Sequence, residues 1–370
     1  MKKFFLVLFM ISMSIVAKDI VNTDKPEKGI WNFNPQEVWR VDSAGKELLV
    51  NCSRIRTDKE GNVYMMEHKL GRIFKFNKDG KFITTIGKKG EGPGEFIQAY
   101  EFFIVDDNII VSPINSKLVY FDRNGKFKKQ VNIGKGFLYP RCFIDKDRFV
   151  RVRSVKDDKG RNQEKISIYD MKTKKDIDLI EISPEEALLS KKGGMAVMIK
   201  DPATSAGVVL TLQDKSILFG KSDKYKFEKM NLQGKVELSF LIKNRERKLI
   251  PEDAKRKRFE NIKLNGGKMP KEMIDQMVKS MPDVATFFYR VIIGNNGLIY
   301  VFVSDIRKDK GSEIDIFSPE GRYLYRGSLK IETGSRIISS IAFYKDYAIM
   351  FVEDEEGETS LRKYKLNLPK

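Results

Sequence analysis

The octapeptide Ile73-Phe74-Lys75-Phe76-Asn77-Lys78-Asp79-Gly80 recurs as Leu118-Val119-Tyr120-Phe121-Asp122-Arg123-Asn124-Gly125 and again as Ile314-Asp315-Ile316-Phe317-Ser318-Pro319-Glu320-Gly321. Each copy joins an aromatic strand to a polar turn ending in Gly, which supplies the positive φ needed where two strands twist back on each other. Weaker copies run from Ile166 to Lys174 and from Tyr225 to Gly234, and Leu361 to Leu366 keeps only the strand. Working outward, a second hairpin precedes each copy: Ile55 to Met65, Phe103 to Val111, Phe143 to Val150, Val209 to Phe219, Val291 to Phe302 and Ile341 to Phe351. Six such pairs, spaced by roughly 45 residues where nothing intervenes, are the signature of four-stranded propeller blades. The predicted fold is therefore all-β, a six-bladed β-propeller.

Strand counting predicts how the ring closes. The last unit has three strands before the chain ends, whereas Glu37-Val38-Trp39-Arg40-Val41 is a lone strand ahead of the first full unit. Pairing the two removes two exposed edges at once. Two segments do not fit blades. Residues 183–206 read as a long loop with one helical turn. Residues 246–284, between blades 4 and 5, read as two helices. The first starts at Pro251 with Glu252 and Asp253 in its opening turn and Lys255-Arg256-Lys257-Arg258 later, a charge order that suits the helix dipole, and ends at Gly266-Gly267. The second, Pro270 to Ser280, sets Met273, Ile274, Met277, Val278 and Met281 on one face. That face either docks the helices on the ring or offers Met273, Met277 and Met281 to a partner.

Residues 1–17 read as a signal peptide, with Lys2 and Lys3 before an apolar run, Phe4 to Val16, and a small residue, Ala17, at the cleavage position. Residues 18–36 follow as an N-terminal extension, and 37–370 form the propeller. The mature form is expected to be exported, periplasmic or extracellular, without a transmembrane helix, and monomeric. Removing the leader lowers the formal charge from +18 to +16. Export argues against nucleic acid as the partner for that charge, leaving a soluble basic surface, an anionic envelope or an acidic ligand. Only Cys52 and Cys142 are available for a disulfide. The alignment puts them on strands separated by a blade, too far apart to bridge, so two free thiols are expected.

The linker Gly87-Lys88-Lys89-Gly90-Glu91-Gly92-Pro93-Gly94-Glu95-Phe96, followed by Phe103-Ile104-Val105-Asp106-Asp107-Asn108-Ile109-Ile110-Val111, resembles the NHL repeat. More closely, the chain is similar to exported bacterial six-bladed propellers related to NHL proteins. The resemblance covers most of residues 50–367 and is specific only in this linker. Elsewhere it departs: Glu67 and Ser304 stand where an Asp would follow the second strand of blades 1 and 5. The linker lacks the P-loop pattern and joins strand to strand, so its glycines are read as serving the crossing between blades.

No catalytic constellation emerges. His68 is the sole histidine, which rules out a three-His zinc site and leaves no plausible Ser-His-Asp or Cys-His pairing. No metal site can be assembled and no cofactor is expected. Ca²⁺ is left open, with Glu101 the one inner-strand carboxylate found for it. The inner strands offer cations instead. Aligning the hairpins on Asp58, Asp106 and Asp145, and Gly61 on Gly297, puts Arg54, Arg141 and Arg290 in one column on blades 1, 3 and 5. Phe102, Val209 and Ser340 fill the other blades, and Tyr100 and Tyr139 stand one pair earlier beside Cys52 and Phe288. Guanidiniums suit carboxylate or phosphate recognition. The expected function is a binding or scaffold module for a peptide, glycan or small anionic ligand at the channel mouth. A divalent-metal hydrolase or lyase in the channel, or an envelope assembly component docking through the helices, are the alternatives.

Overall fold

The computed structural model describes residues 17–114, 117–133, 140–160, 162–182, 208–213, 216–260, 263–264, 267–294, 296–304 and 312–369. Blade 1 is an antiparallel meander of Cys52–Thr57, Val63–Glu67, Arg72–Phe76 and Phe82–Ile86. Blade 2 begins at Ala99–Val105 and blade 3 at Pro140–Asp145, each followed by three more strands in sequence order. Blade 4 begins at Val208–Gln213 and blade 5 at Phe288–Ile293. Blade 6 consists of Arg336–Tyr344, Tyr347–Glu353 and Thr359–Lys365, and its outer strand is Gln36–Val41 from the other end of the chain. The predicted closing strand thus pairs antiparallel with Thr359–Lys365, Trp39 opposite Lys363 and Val41 opposite Leu361.

The recurring octapeptide folds as its chemistry requires. In the turn before the fourth strand, a short polar side chain accepts two backbone N–H groups and the Gly three residues on takes positive φ. Asn77 Oδ1 accepts from Asp79 (3.0 Å) and Lys81 (2.9 Å), and Asp122 Oδ1 accepts from Asn124 (2.8 Å) and Lys126 (2.9 Å). Asn231 and Ser318 repeat the arrangement in blades 4 and 5. These Asx-type turns satisfy backbone donors that no ladder reaches.

The core is divided among the blade interfaces. Among the described residues, six apolar clusters each join one blade to the next around the ring. One example sets Tyr64, Ile73 and Phe96 against Phe102, Val111 and Phe121 between blades 1 and 2. The Gly-rich linker serves this packing: Phe96 is buried, and the Gly92 N–H donates to Glu95 Oε2 (3.0 Å), so the loop's own carboxylate occupies it. Gly71, in the turn after the second strand of blade 1, has φ +61°, and a Cβ there would lie 2.0 Å from the Phe96 carbonyl oxygen. Gly71→Ala is expected to cost about 3 kcal/mol, from left-handed strain and a backbone clash that cannot relax through a rotamer. The urea midpoint of the purified variant measures it, and an unchanged midpoint would refute this contact.

Residues 18–36 were expected only as an extension, yet they are built into the ring. Lys18–Asn22 adds to blade 4 as a fifth, parallel strand against Val236–Ile242. Ile30–Asn32 does the same for blade 5 against Tyr323–Leu329. The chain then reaches blade 6, so one strap covers the outer edges of three consecutive blades.

The insertion between blades 4 and 5 holds two helices, α1 (Glu252–Glu260) and α2 (Lys271–Ser280). Helix α1 stops at Glu260, short of the glycine pair, and Gly267 instead begins the return strand of a two-residue hairpin. The segment 183–206 lies outside the described residues. Among the described residues, no helix is long and apolar enough to cross a membrane.

Candidate functional site: the mouth of the channel

The inner strands of blades 1, 2, 3 and 5 share one local design. Two buried residues three apart, Cys52 and Ile55, Ala99 and Phe102, Pro140 and Phe143, Phe288 and Val291, face the blade interfaces. Between the members of each pair the ladder skips a residue, at Ser53, Tyr100, Arg141 and Tyr289. Blade 6 has its own irregularity between Ile337 and Ile341. A bulge releases a residue from the ladder and re-aims its side chain, which makes bulges frequent next to binding sites. These lie at the N-terminal ends of the inner strands, where the linkers between blades arrive, including the linker carrying α1 and α2.

This register corrects the sequence column by one residue in two blades. The true ring just inside the bulges is Arg54, Glu101, Cys142 and Arg290, while Arg141 occupies the bulge ring with Ser53, Tyr100 and Tyr289. Phe102 turns into the interface between blades 1 and 2 and is fully buried. Tyr139 lies outside the described residues, as do the side chains of Val209 and Ser340.

Within the ring, Glu101 organises one side. Its Oε2 accepts from Arg54 Nε at 2.9 Å, its Oε1 lies 3.1 Å from Arg56 Nη2, and the Phe102 N–H donates to Oε1 at 3.1 Å. Arg56, a cation the sequence reading passed over, also lies against the rings of Phe102 and Phe103 and donates to the Phe102 carbonyl. Its alternation with Arg54 along one strand was the available signal. Arg290 has no such acid. Its side chain is half-buried, 5.7 Å from the Tyr289 ring centre and 5.9 Å from that of Phe302, with no ion-pair or hydrogen-bond partner among the described residues. Burial pulls it below the ordinary arginine range, and the charge of Arg54 nearby acts in the same direction. An arginine nonetheless stays protonated at neutral pH. Arg141 is exposed at the bulge and likewise shows no ion pair among the described residues.

The remaining predicted residues do not join this site. Both cysteines are free, and burial pushes the Cys142 thiol up to about 12 and raises that of Cys52 as well, so neither is a ready nucleophile. His68 stands in the turn after Val63–Glu67. Glu67, where the NHL pattern would place Asp, caps that turn by accepting from the N–H groups of Lys69 and Leu70. The methionine face is split. Met277 and Met281 pack with Phe259, Met269, Ile274 and Val278 inside the helical hairpin, and only Met273 is exposed. Among the described residues, no three His, Cys, Asp or Glu side chains come together as a metal site. At the opposite face a cavity of about 430 Å³ is lined by Asp106, Asp107, Tyr120 and three lysines. Lys128 there is bound to Asn108 (2.9 Å) and Lys129 lies over Tyr120.

The comparisons with known proteins agree with this architecture. Residues 44–195 match a family model described as a 6-bladed beta-propeller. That stretch spans blades 1 to 3. Among solved structures, a member of the duf4221 family from Bacteroides vulgatus aligns with a TM-score of 0.59 at 10% identity, covering 90% of this chain and 98% of that one. A protein described as exported, from Bacteroides fragilis, aligns with a TM-score of 0.51 at 13% identity, over 95% of this chain and 100% of that one. At such identities the likeness is one of fold. No curated protein matches the chain.

Proposed function

We propose that this chain is an exported binding module whose channel mouth, on the face where the blade linkers arrive, takes a small anionic ligand or the anionic end of a peptide or glycan. One observation carries the reading: Arg290, half-buried beside the Tyr289 and Phe302 rings and without an acidic partner among the described residues, shares the ring with a second guanidinium, the exposed Arg54, whose positive charge it feels. Two like charges on one rim repel, and a bound anion relieves both. Glu101 takes Arg54 through Nε, which leaves the terminal Nη1–Nη2 edge for a bidentate contact. The bulge ring adds Tyr100, Tyr289 and Arg141 above. Export fits the start of the first strand at Lys18, directly after the expected cleavage at Ala17.

The assembly reading loses its support, because the helical hairpin consumes most of the methionine face in its own small core. For the test, sulfate is titrated at constant ionic strength and thermal stabilisation is followed, since a ligand that binds the native state raises its melting temperature. The double variant Arg54→Gln/Arg290→Gln is expected to weaken binding roughly a hundredfold, as hydrogen bonds to charged groups contribute about 1.5–3 kcal/mol each. Equal sulfate response in the variant and the parent protein would refute the site.

A further inference from the structure

The charge count inside the ring extends the proposed site, and the inference rests on that reading. Arg54, Arg56 and Arg290 bring three guanidiniums to the inner strands of blades 1 and 5. Against them the described residues set one carboxylate, Glu101, which contacts both Arg54 and Arg56. Neither of those two arginines has another acidic partner among the described residues, and Arg290 has none. Arginine cannot shed its proton to escape burial, as a lysine or a carboxyl group can. Two positive charges are therefore left without an acidic partner among the described residues, on a rim where Arg56 and Arg290 are half-buried and Arg54 is exposed. Arg141, exposed at the bulge above, adds to the positive potential at the entrance.

We infer that the ligand is a compact doubly charged oxyanion, either a dicarboxylate or a phosphate-type group, rather than a monoanion. A single carboxylate would neutralise one guanidinium and leave the other facing it. A dianion spans both and brings the site to neutrality. The second charge then adds to affinity because it meets a guanidinium that no carboxylate among the described residues answers. The arrangement of donors supports the same class, since Arg54 offers its terminal edge and Arg290 its whole guanidinium, each able to hold two oxygens in a plane.

The experiment is calorimetric titration of the mature protein with acetate, succinate and phenyl phosphate at pH 7.5 and fixed ionic strength. At that pH a phosphate monoester is mainly dianionic. Succinate or phenyl phosphate is expected to bind at least roughly tenfold more tightly than acetate, and whichever dianion leads identifies the source of the charge. The succinate-to-acetate ratio is expected to fall in Arg290→Gln, which removes one uncompensated charge. It should rise in Glu101→Gln, which adds one. Because a ratio is read, any common loosening of Arg54 in the Glu101 variant cancels. Acetate binding as tightly as both dianions, or a ratio unmoved by both substitutions, overturns the dianion assignment while leaving an anion site in place. If no probe binds at all and Arg290→Gln changes nothing, the anion site itself falls.

Discussion

A chain shortened to begin at Asp42 is expected to lose its cooperative unfolding transition, while one beginning at Pro35 keeps it at markedly reduced stability. The two cuts separate the two jobs of the N-terminal strap. Residues 18–34 hold blades 4, 5 and 6 together from outside. The Asn22 amide donates to the Leu241 and Gly321 carbonyls (3.1 and 3.0 Å), and its oxygen accepts from the Tyr323 N–H (2.8 Å), so one buried side chain pins blade 4 to blade 5. Phe33 is fully buried between blades 5 and 6, beneath Gly327, where a Cβ would come within 2.5 Å of its ring. Removing a buried Phe alone typically costs about 3–5 kcal/mol, and the loss of Asn22 leaves buried backbone groups unpaired.

The second cut removes the closing strand as well. Thr359–Lys365 then becomes an exposed edge, and Leu361 and Tyr364, both buried, lose their cover. Trp39 goes with it. Its indole N–H donates to the Lys78 carbonyl (3.1 Å) and its ring lies over Gly80, so it ties blade 6 to the octapeptide turn of blade 1. Arg362, almost wholly buried, also loses Glu37 at 3.8 Å. A ring opened at one blade exposes unpaired strand edges on both sides of the gap, which favours aggregation over refolding. Circular dichroism melts and sedimentation of both truncated proteins measure the effect. A protein starting at Asp42 that stays monomeric and melts within a few degrees of the parent would refute the clasp.

The six blades and the closing strand were legible because turn chemistry is local. Asn77, Asp122 and Ser318 announce their turns within eight residues, and the deficit of one strand at the C-terminal end calls for Glu37–Val41. The strap was not legible for the opposite reason. Lys18–Asn22 and Ile30–Asn32 add in parallel to edges about two hundred residues or more away in sequence, and strands of five and three residues carry no period of their own. The arginine column slipped because Asp58, Asp106 and Asp145, used as its anchors, are not equivalent. Asp58 follows the strand end Thr57, Asp106 sits inside a two-residue loop at φ 51°, and Asp145 is itself paired with Arg148. Each bulge then adds a residue that composition does not reveal. Arg54 and Arg290 survived the slip because their blades were aligned through glycines with equivalent roles, Gly61 and Gly297, both at positive φ.

Replacing Asp315 with Ala is expected to destabilise the protein by about 3–5 kcal/mol, the usual cost of breaking a buried ionic cluster from one side. Asp315 lies on the third strand of blade 5 and is fully buried. It accepts from the Tyr225 hydroxyl at 2.6 Å, from the Tyr323 hydroxyl, from Arg245 at 3.0 Å and from Arg326 at 3.2 Å. Burial raises its pKa, opposed by the Arg245 charge and the two tyrosine hydroxyls. The two arginines also reach Asp24 of the strap, at 2.7 and 3.1 Å. One carboxylate thus joins a tyrosine of blade 4, the linker that enters the helical hairpin, the outer strand of blade 5 and the strap. Alanine leaves two guanidiniums and two hydroxyls to find new partners in a closed space, whereas Asn keeps the shape and part of the hydrogen bonding. Asp315→Asn should therefore fall between the parent and Asp315→Ala in urea denaturation. Faster amide exchange over Lys18–Asn22 and Ile30–Asn32 should accompany the loss, because Asp24 sits between those two strands and depends on the arginines that Asp315 holds. A loss below about 1 kcal/mol in the alanine variant, within the range of ordinary surface substitutions, would mean that water or Glu313, 2.9 Å from Arg245, replaces the missing carboxylate. The cluster would then not be what couples the strap to the ring.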